Sequence, residues 1–527
     1  MKSSEYVELR TRSAFSFLAG ASLPEDLVAR AAALGHGVLA MGDRDGVYGA
    51  PRFHQAALQA GVRGIVGCEL TTVDGPLYVL VAERVGYRNL CRLLSDAKLR
   101  AAKGEAVVAW ADLEGRSDGL ICLARETAGL ARLQRLFPGR LYLELQRHLD
   151  ADEERHNRVL TAAAEQHRLP LVASNDVRHA APDGRPLLDV LTCLREHTTL
   201  DAAGRRLLAN AERHLKPARE MVALFRDQPA ALANTRRIAE QCAFGLADLG
   251  YRFPDYPLPP GETADGHLRA LTEAGARGRY GALTPRVRRQ IGHELAVIAQ
   301  LGLAGYFLIV WDIVRYCREA GILAQGRGSA ANSAVCYALG ITAVDPIGME
   351  LLFERFLSPE RGEWPDIDID LPSGERRERV IQYVYQRYGA RGAAMTANVI
   401  TYRTRSAVRE VGKALGFAEA QVARLSKLLH RFEFRDDLDQ LAEQLRAGGV
   451  DPAAPRVRLL VDLVARIQNL PRHLGQHSGG MVIAAGRLDE VVPLEPAAMP
   501  GRVVVQWDKD DCADLGIIKV DLLGLGM

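Results

Sequence analysis

The chain has 527 residues, enough for roughly two to four domains with cores of their own, and its 67 Lys plus Arg nearly balance 65 Asp plus Glu. Net charge therefore assigns no polyanionic partner, and any nucleic-acid surface must arise from local clustering. Eight scattered cysteines with no C-x-x-C pair exclude a zinc ribbon or disulfide framework and fit a reducing compartment. Met1 to Ser13 lacks the apolar centre of a signal peptide, and no run reaches the roughly 18 apolar residues that span a bilayer, so a soluble, cytoplasmic protein with no membrane partner is expected.

From residue 1 to about 215, short apolar runs alternate with Ala- and Arg-rich helical stretches. The predicted strands are Gly37 to Met41, Gly64 to Glu69, Leu77 to Ala82, Gly119 to Ala124, Leu141 to Leu145 and Leu169 to Ala173. The alternation predicts a parallel barrel or a doubly wound sheet. Asp43, Glu69, Asn175 and Asp176 fall at or just past strand ends, where a (β/α) barrel carries its active-site rim. A helical stretch, Lys216 to Gly245, and a proline-rich linker, Phe253 to Pro260, mark a domain boundary.

Helical runs follow over Pro285 to Leu301 and Tyr306 to Tyr316, then a glycine loop, Gln325-Gly-Arg-Gly-Ser-Ala-Ala-Asn-Ser333, that opens into the apolar helical pattern of Val335 and Leu339. Gly326 and Gly328 allow a tight turn, and backbone N–H groups at a helix start, with the Arg327 guanidinium and Ser329 hydroxyl, form an anion cradle for a phosphate-bearing ligand. The loop is no Walker A sequence, since the terminal Gly-Lys-Ser/Thr is missing. It does satisfy G-x-G-x-x-A, with Asp345 near the dinucleotide spacing, but no second mononucleotide half follows. An ordinary N-capped helix after a glycine turn remains the plain alternative.

Pro365-Asp-Ile-Asp-Ile-Asp370 alternates carboxylates with isoleucines, which in a strand places Asp366, Asp368 and Asp370 on one face. Three like charges on one face call for a counter-ion, and hard oxygen ligands favour Mg²⁺. A solvated acidic edge strand competes for an isolated D-x-D; the third acid and the flanking Pro and Ile favour metal. Near the end, Asp521 follows the apolar run Ile517-Ile518-Lys519-Val520. A phosphate grip, an acidic strand and a further acid from a neighbouring strand together suit two-metal triphosphate chemistry.

Those segments, with Thr401-Tyr-Arg-Thr-Arg-Ser-Ala-Val-Arg-Glu-Val-Gly-Lys413, His477-Ser-Gly-Gly480 and Gln506-Trp-Asp-Lys-Asp-Asp511, occur in the order found in bacterial C-family replicative DNA polymerases. The chain resembles the N-terminal half of a DNA polymerase III alpha subunit, and its wording at Ala331-Asn332-Ser333, Cys336-Tyr337 and Tyr402-Arg403 is closest to the error-prone branch of damage-induced mutagenesis and translesion synthesis. The resemblance implies a multidomain α/β fold: a PHP-like (β/α) barrel over 1–250, a polymerase beta-like nucleotidyltransferase palm over 251–400 and 478–527, and an inserted helical thumb over 401–477. The thumb agrees with helical spacing of Val422, Leu425 and Leu428 and of Val457, Leu460, Val461 and Val464.

By the same resemblance Asp368, Asp370 and Asp521 are the catalytic metal ligands for two Mg²⁺ ions, and Asp366 is a structural companion. Gly326, Arg327, Gly328 and Ser329 hold the triphosphate of a deoxynucleoside triphosphate (dNTP). Arg403, Arg405, Arg409 and Lys413 face phosphates of primer-template DNA. His477, with Gly479 and Gly480, reads as a turn passing close to another element rather than as a catalytic group.

The PHP-like part departs from its relatives. Where a PHP (polymerase and histidinol phosphatase) domain carries H-x-H-x-H-S, D-H and N-D-x-H metal ligands, this chain has Glu8, Arg10 and Arg12 before Ser13, then Asp43-Arg44, Glu69, and Asp176 with Arg178. Guanidiniums stay protonated and offer no lone pair, so a metal-free scaffold is expected, without phosphoesterase or proofreading exonuclease activity. Its arginines are expected to pair with Glu8, Asp43, Glu69 and Asp176, and a site rebuilt on His36 or His179 is disfavoured. Relatives continue past the third acid into fingers, a helix-hairpin-helix module, a clamp-binding peptide and an OB-fold. On that comparison the chain reads as truncated, weak or inactive as a polymerase alone, and reliant on that further half for a sliding clamp and mutagenesis accessory proteins. The competing reading is an inactive fragment acting as a DNA- or protein-binding scaffold.

Overall fold

The computed structural model describes residues 6–358, 360, 364–428, 443, 445–447 and 449–525. The chain forms two compact units, Met1–Asp248 with Val399–Gly475, and Leu249–Asn398 with Gln476–Met527.

The first unit is built on seven strands in sequential order, β1 (Glu8–Thr11), β2 (Val38–Arg44), β3 (Arg63–Thr72), β4 (Gly75–Val81), β5 (Leu120–Ala124), β6 (Leu141–Gln146) and β7 (Leu171–Ser174). Just beyond β7, Val177 bridges to Thr11, with Arg12 N donating to Val177 O at 2.8 Å and Val177 N to Arg10 O at 2.9 Å. The sheet thereby nearly closes into a barrel. All six strands expected from apolar runs are present. The parallel expectation is corrected: β4 runs antiparallel to both β3 and β5. Only Val73 and Asp74 separate β3 from β4, and so short a connection makes a hairpin, never a crossover. The helical stretch expected over 216–245 is two helices, Ala218–Leu224 and Pro229–Gln241, broken where the residue before Pro229 leaves helical geometry.

The later part of this unit contributes helices Thr404–Ala414, Glu419–Leu428 and Pro455–Ile467. Their apolar positions Val408, Val411, Leu425, Leu460 and Val464 pack with Leu187, Val190 and Leu191 of helix Arg185–Arg195. Residues 429–442, 444 and 448 of the stretch read as a thumb lie outside the described residues.

The second unit holds a seven-stranded sheet of β8 (Gln325–Arg327), β9 (Asp368–Pro372), β10 (Ala393–Thr401), β11 (Pro471–Ile483), β12 (Leu494–Pro496), β13 (Val503–Asp508) and β14 (Lys519–Leu525), in the order β12-β13-β10-β11-β14-β9-β8. Strand alternation sends Ile367, Ile369, Leu371, Val520 and Leu522 into a core with Phe307, Ile309 and Ile381, and leaves the aspartates on the opposite face. Phe253, Tyr256 and Leu258 of the proline linker, and Tyr251 just before it, pack on this same core, so the linker travels with the second unit. Among the described residues no single helix is long and apolar enough to cross a membrane; the apolar helices Pro285–Gln300 and Ala304–Glu319, bent by 114° at their junction, line that core instead.

Candidate active site

Strands β9 and β14 run parallel with Asp521 beside Asp368, and Leu523 beside Asp370. Residues paired across adjacent strands share a face, so this register brings Asp521 onto the acidic face of β9. Ligand oxygens of Asp366, Asp368 and Asp521 all lie within 4.8 Å of one another. Asp370 stands one step along the same face, mostly buried, with Oδ1 3.1 Å from Arg327 Nε. The tight cluster thus includes Asp366, which sequence reasoning had set aside as structural, and Asp370 sits at its edge.

On the other side of β14, β11 pairs Gly480 with Asp521. The strand must come close here: a Cβ on Gly480 would lie 3.0 Å from Asp521 Oδ1 and 2.4 Å from Thr396 Oγ1, and one on Gly479 2.4 Å from Leu523 Cδ2. The close approach expected of these glycines is present, but within a continuous strand and not a turn. His477 Nδ1 accepts hydrogen bonds from the backbone N–H of Gly479 at 3.2 Å and of Gly480 at 2.7 Å, which leaves the ring proton on Nε2. Burial holds this imidazole below its usual pKa.

Protein cations stand against the acids. Lys519 Nζ donates to Asp366 at 2.8 and 2.9 Å and to Asp521 Oδ2 at 2.6 Å. Burial works against that ammonium, yet the two carboxylates outweigh it and raise its pKa. Arg327 Nε lies 3.6 Å from Asp368 Oδ2. Asp368 is pushed up to about 6 by burial and by the charges of Asp366 and Asp521. Asp521 Oδ1 is buried without a hydrogen-bond partner. An orphaned carboxylate oxygen among converging hard donors fits a divalent cation, so the residues present suit the expected Mg²⁺.

The glycine loop differs from expectation in one respect. After β8 the chain makes a 3-10 turn, Gly328–Asn332, and only then a short helix, Ala334–Ala338. The first N–H groups of that helix are already used: Ala334 N and Val335 N donate to the buried Glu294 at 3.0 and 3.1 Å, and Ser333 Oγ donates to it at 2.8 Å. An internal carboxylate occupies the helix start, so the expected cradle narrows to the turn itself, with Arg327 and Ser329. Gly326 N donates to Ile341 O at 2.7 Å and Gly328 takes φ +68°. Asp345, the acid at the dinucleotide spacing, accepts from Tyr280 Oη at 2.8 Å and Ile347 N at 3.0 Å, so its carboxylate is engaged within the protein. Nothing in the sequence ties Glu294 to a helix some forty residues on.

In the first unit Glu8 and Arg10 share one face of β1, Arg12 follows directly after the strand, and all three are buried. Arg10 reaches Glu69 and Glu144, each at 2.5 Å, and Asp176 at 3.2 Å; Arg12 pairs with Glu69 and, at 3.3 Å, Asp176. Arg178 joins Asp176 at 3.0 Å, and Arg213 pairs with the same carboxylate. Burial alone would raise the Asp176 carboxyl, but Arg178, Arg12, Arg10 and Arg213 hold it well below the usual carboxylate range. The pairing expected for Glu69 and Asp176 is present; that for Glu8 and Asp43 is corrected. Glu8 accepts from Tyr6 Oη at 2.6 Å and from Arg10 N at 3.0 Å, and burial pushes it up to about 7. Asp43 accepts from the hydroxyls of Ser13 and Ser16, while Arg44 turns to Asp45 at 3.9 Å. His36 and His179 bond backbone carbonyls of Lys216 and Ala181. Glu144 and Arg213 were not anticipated. An acid inside an apolar strand (Leu-Tyr-Leu-Glu-Leu) was the available signal for the former.

Comparison with known proteins settles the family. Residues 266–524 match the bacterial DNA polymerase III alpha NTPase domain and residues 8–148 the PHP domain. The chain is 46% identical over 540 residues to the error-prone DNA polymerase of Brucella suis, 99% of this chain and 50% of that protein. Against the enzyme of the same name from Rhodopseudomonas palustris it is 45% identical over 543 residues, 100% of this chain and 49% of that protein.

The chain belongs to the bacterial C-family DNA polymerases. It spans about half the length of the curated relatives it matches. Among solved structures, a putative metal-dependent phosphoesterase from Bifidobacterium adolescentis matches with a TM-score of 0.21 at 17% identity, over 32% of this chain and 86% of that one. A two-domain protein from Bacteroides vulgatus containing a predicted PHP-like phosphoesterase matches with a TM-score of 0.25 at 11% identity, over 48% and 72%. Likeness that slight carries no argument.

Of the basic residues expected to face DNA, Arg405, Arg409 and Lys413 stand four apart on helix Thr404–Ala414, all exposed, opposite its buried Val408 and Val411. Arg403 precedes them and donates to Asn469 Oδ1 at 2.7 Å. Lys519 at the acidic cluster lies two residues before Asp521, a spacing that puts both on one strand face and was the available signal for it.

Proposed function

We propose that this chain carries the PHP-like and palm portion of an error-prone DNA polymerase that transfers a nucleotidyl group from a dNTP to a primer 3′-hydroxyl in damage-induced mutagenesis and translesion synthesis. The reading rests on one observation above all: Asp521 in register beside Asp368 on parallel strands, facing the arginine of a glycine turn. Asp368, Asp370 and Asp521, joined by Asp366, would hold two Mg²⁺ ions. Such ions, when bound, stabilise the attacking and leaving oxygens of an in-line phosphoryl displacement.

The chain's own groups supply the rest. Arg327 turns from the aspartates to the triphosphate once cations neutralise them, and the Ser329 hydroxyl donates to a phosphate oxygen. The exposed row of Arg405, Arg409 and Lys413, with Arg403, meets template and primer phosphates without reading sequence. Primer-template DNA and dNTP are the partners, and the cytoplasm is the place of action. A sliding clamp and accessory proteins belong to the reading through the half of those relatives that this chain does not match.

A calorimetric titration of the chain with Mg²⁺ and dATP tests this. Wild type is expected to give a saturable heat that Asp368→Asn and Asp521→Asn weaken by about tenfold or more. Equal heats in all three would overturn the enzymatic reading and favour a DNA- or protein-binding scaffold, whose acids Lys519 and Arg327 already neutralise.

A further inference from the structure

We propose a phosphate-group subsite in the second unit, set apart from the aspartates, in a cavity of about 240 Å³ lined by Arg279, Arg318 and Thr342. Two guanidiniums converge there. The Nη2 atoms of Arg318 and Arg279 lie 2.4 and 3.4 Å from the point a Cβ on Gly340 would occupy, so both reach across the same bare glycine. Among the described residues neither has a carboxylate partner, whereas Arg277 and Arg315 on the same two helices pair with Glu273, Asp312 and Glu319. Like charges brought together with no counter-charge are unfavourable, and a bridging oxyanion reverses the sign of that interaction.

Two further features point to a built site. The Thr342 side chain is buried and its hydroxyl has no hydrogen-bond partner; it turns its methyl towards Gly326, where a Cβ would stand 3.0 Å away. A buried hydroxyl left unbonded costs free energy that a ligand oxygen, directly or through one water, would recover. Gly340 takes φ +73°, a conformation glycine accepts most readily, and any side chain there would displace Arg318. The guanidinium of Arg279 lies 4.5 Å over the Tyr337 ring, which fixes it without neutralising it. The volume falls short of the roughly 300 Å³ at which ordinary small-molecule pockets begin, so a single phosphate or pyrophosphate group fits and a whole nucleotide does not.

The cavity wall includes Ala324 and Gln325, and Gln325 opens β8, the strand that ends at Arg327. An anion bound here braces the root of the glycine turn. Two sources share this chemistry: free phosphate or pyrophosphate, and a backbone phosphate of a nucleic-acid strand.

Phosphorus-31 line broadening and calorimetry on the whole chain, with pyrophosphate in one arm and a short single-stranded oligodeoxynucleotide in the other, separate these sources. Mg²⁺ is left out of both arms, so that the result stands apart from the aspartate site. Saturable binding in either arm, weakened about tenfold or more by Arg318→Gln and less by the charge-keeping Arg318→Lys, is expected, with Arg277→Gln, which removes the Glu273-paired guanidinium from the same helix as Arg279, unchanged. Thr342→Val, nearly isosteric, is expected to weaken binding while leaving the unfolding midpoint intact, which guards against a folding artefact in the arginine variants. No binding in either arm, or binding that ignores both Arg318→Gln and Thr342→Val, would overturn the subsite.

Discussion

The barrel cluster and the acidic cluster of the second unit answer one electrostatic problem in two ways. Each gathers several carboxylates, which cannot all ionise together without positive charge among them. In the barrel that charge is covalently part of the core: Arg10 and Arg12, both buried, thread between Glu69, Glu144 and Asp176. In the second unit it sits on half-exposed Arg327 and on Lys519, long side chains that can swing away. A fixed counter-charge makes a scaffold, whereas a removable one leaves room for a cation that comes and goes. The difference lies in residue type, since a guanidinium has no lone pair and never yields its proton in a protein.

The comparison breaks first at Arg10. Arg10→Ala should destabilise the chain by about 3–5 kcal/mol, because three buried carboxylates lose a shared partner while their desolvation remains. Denaturant unfolding would measure it. Asp368→Asn, by contrast, relieves repulsion and should leave stability within about 1 kcal/mol of wild type. Similar losses for both would mean that the two clusters are equally structural.

A smaller effect concerns Glu8, which receives a phenol and backbone N–H groups but no guanidinium. Its folded carboxyl is pushed up to about 7 from 4.5, so the folded state binds the proton more tightly than the unfolded chain does. Stability from this group is therefore greatest below the unfolded value and falls as pH rises from about 4.5 to 7, by something on the order of 3 kcal/mol. Asp176 and Glu69, both depressed, act oppositely and lose their contribution as pH falls below the ordinary carboxylate range. The unfolding midpoint should thus peak near pH 5 and decline towards pH 7.5. Glu8→Gln should flatten the decline, and an unchanged slope in that variant would assign it elsewhere.

Much of this was legible in the chain because period and charge coincide. The alternation of Asp366 to Asp370 with isoleucines set a strand face, and apolar runs such as Leu141 to Leu145 set the barrel. What escaped was long-range or low in contrast. Strand β1, Glu-Leu-Arg-Thr, is half charged and looks like surface until the partners of those charges are known. Glu294 reaches the helix at Ser333 through tertiary packing that leaves no local trace. The register that seats Asp521 beside Asp368 is set by hydrogen bonds between segments about 150 residues apart, and a one-residue slip would have sent Asp521 into the core.

Lys519 sharpens the comparison most finely. It shares its strand face with Asp521 and donates to both Asp521 and Asp366, so it occupies oxygens that a cation would use. If its charge is the removable counterpart of Arg10, then Lys519→Met vacates those oxygens and removes a positive neighbour, and Mg²⁺ should bind about three- to tenfold more tightly by calorimetry. If instead Lys519 holds the carboxylates in place, the same variant lets Asp366 and Asp521 splay apart, and Mg²⁺ binds more weakly. The direction of the change alone decides, with little dependence on its size. A loosened affinity would make this lysine the second unit's equivalent of the barrel arginines, and the contrast between the two clusters would reduce to one of burial.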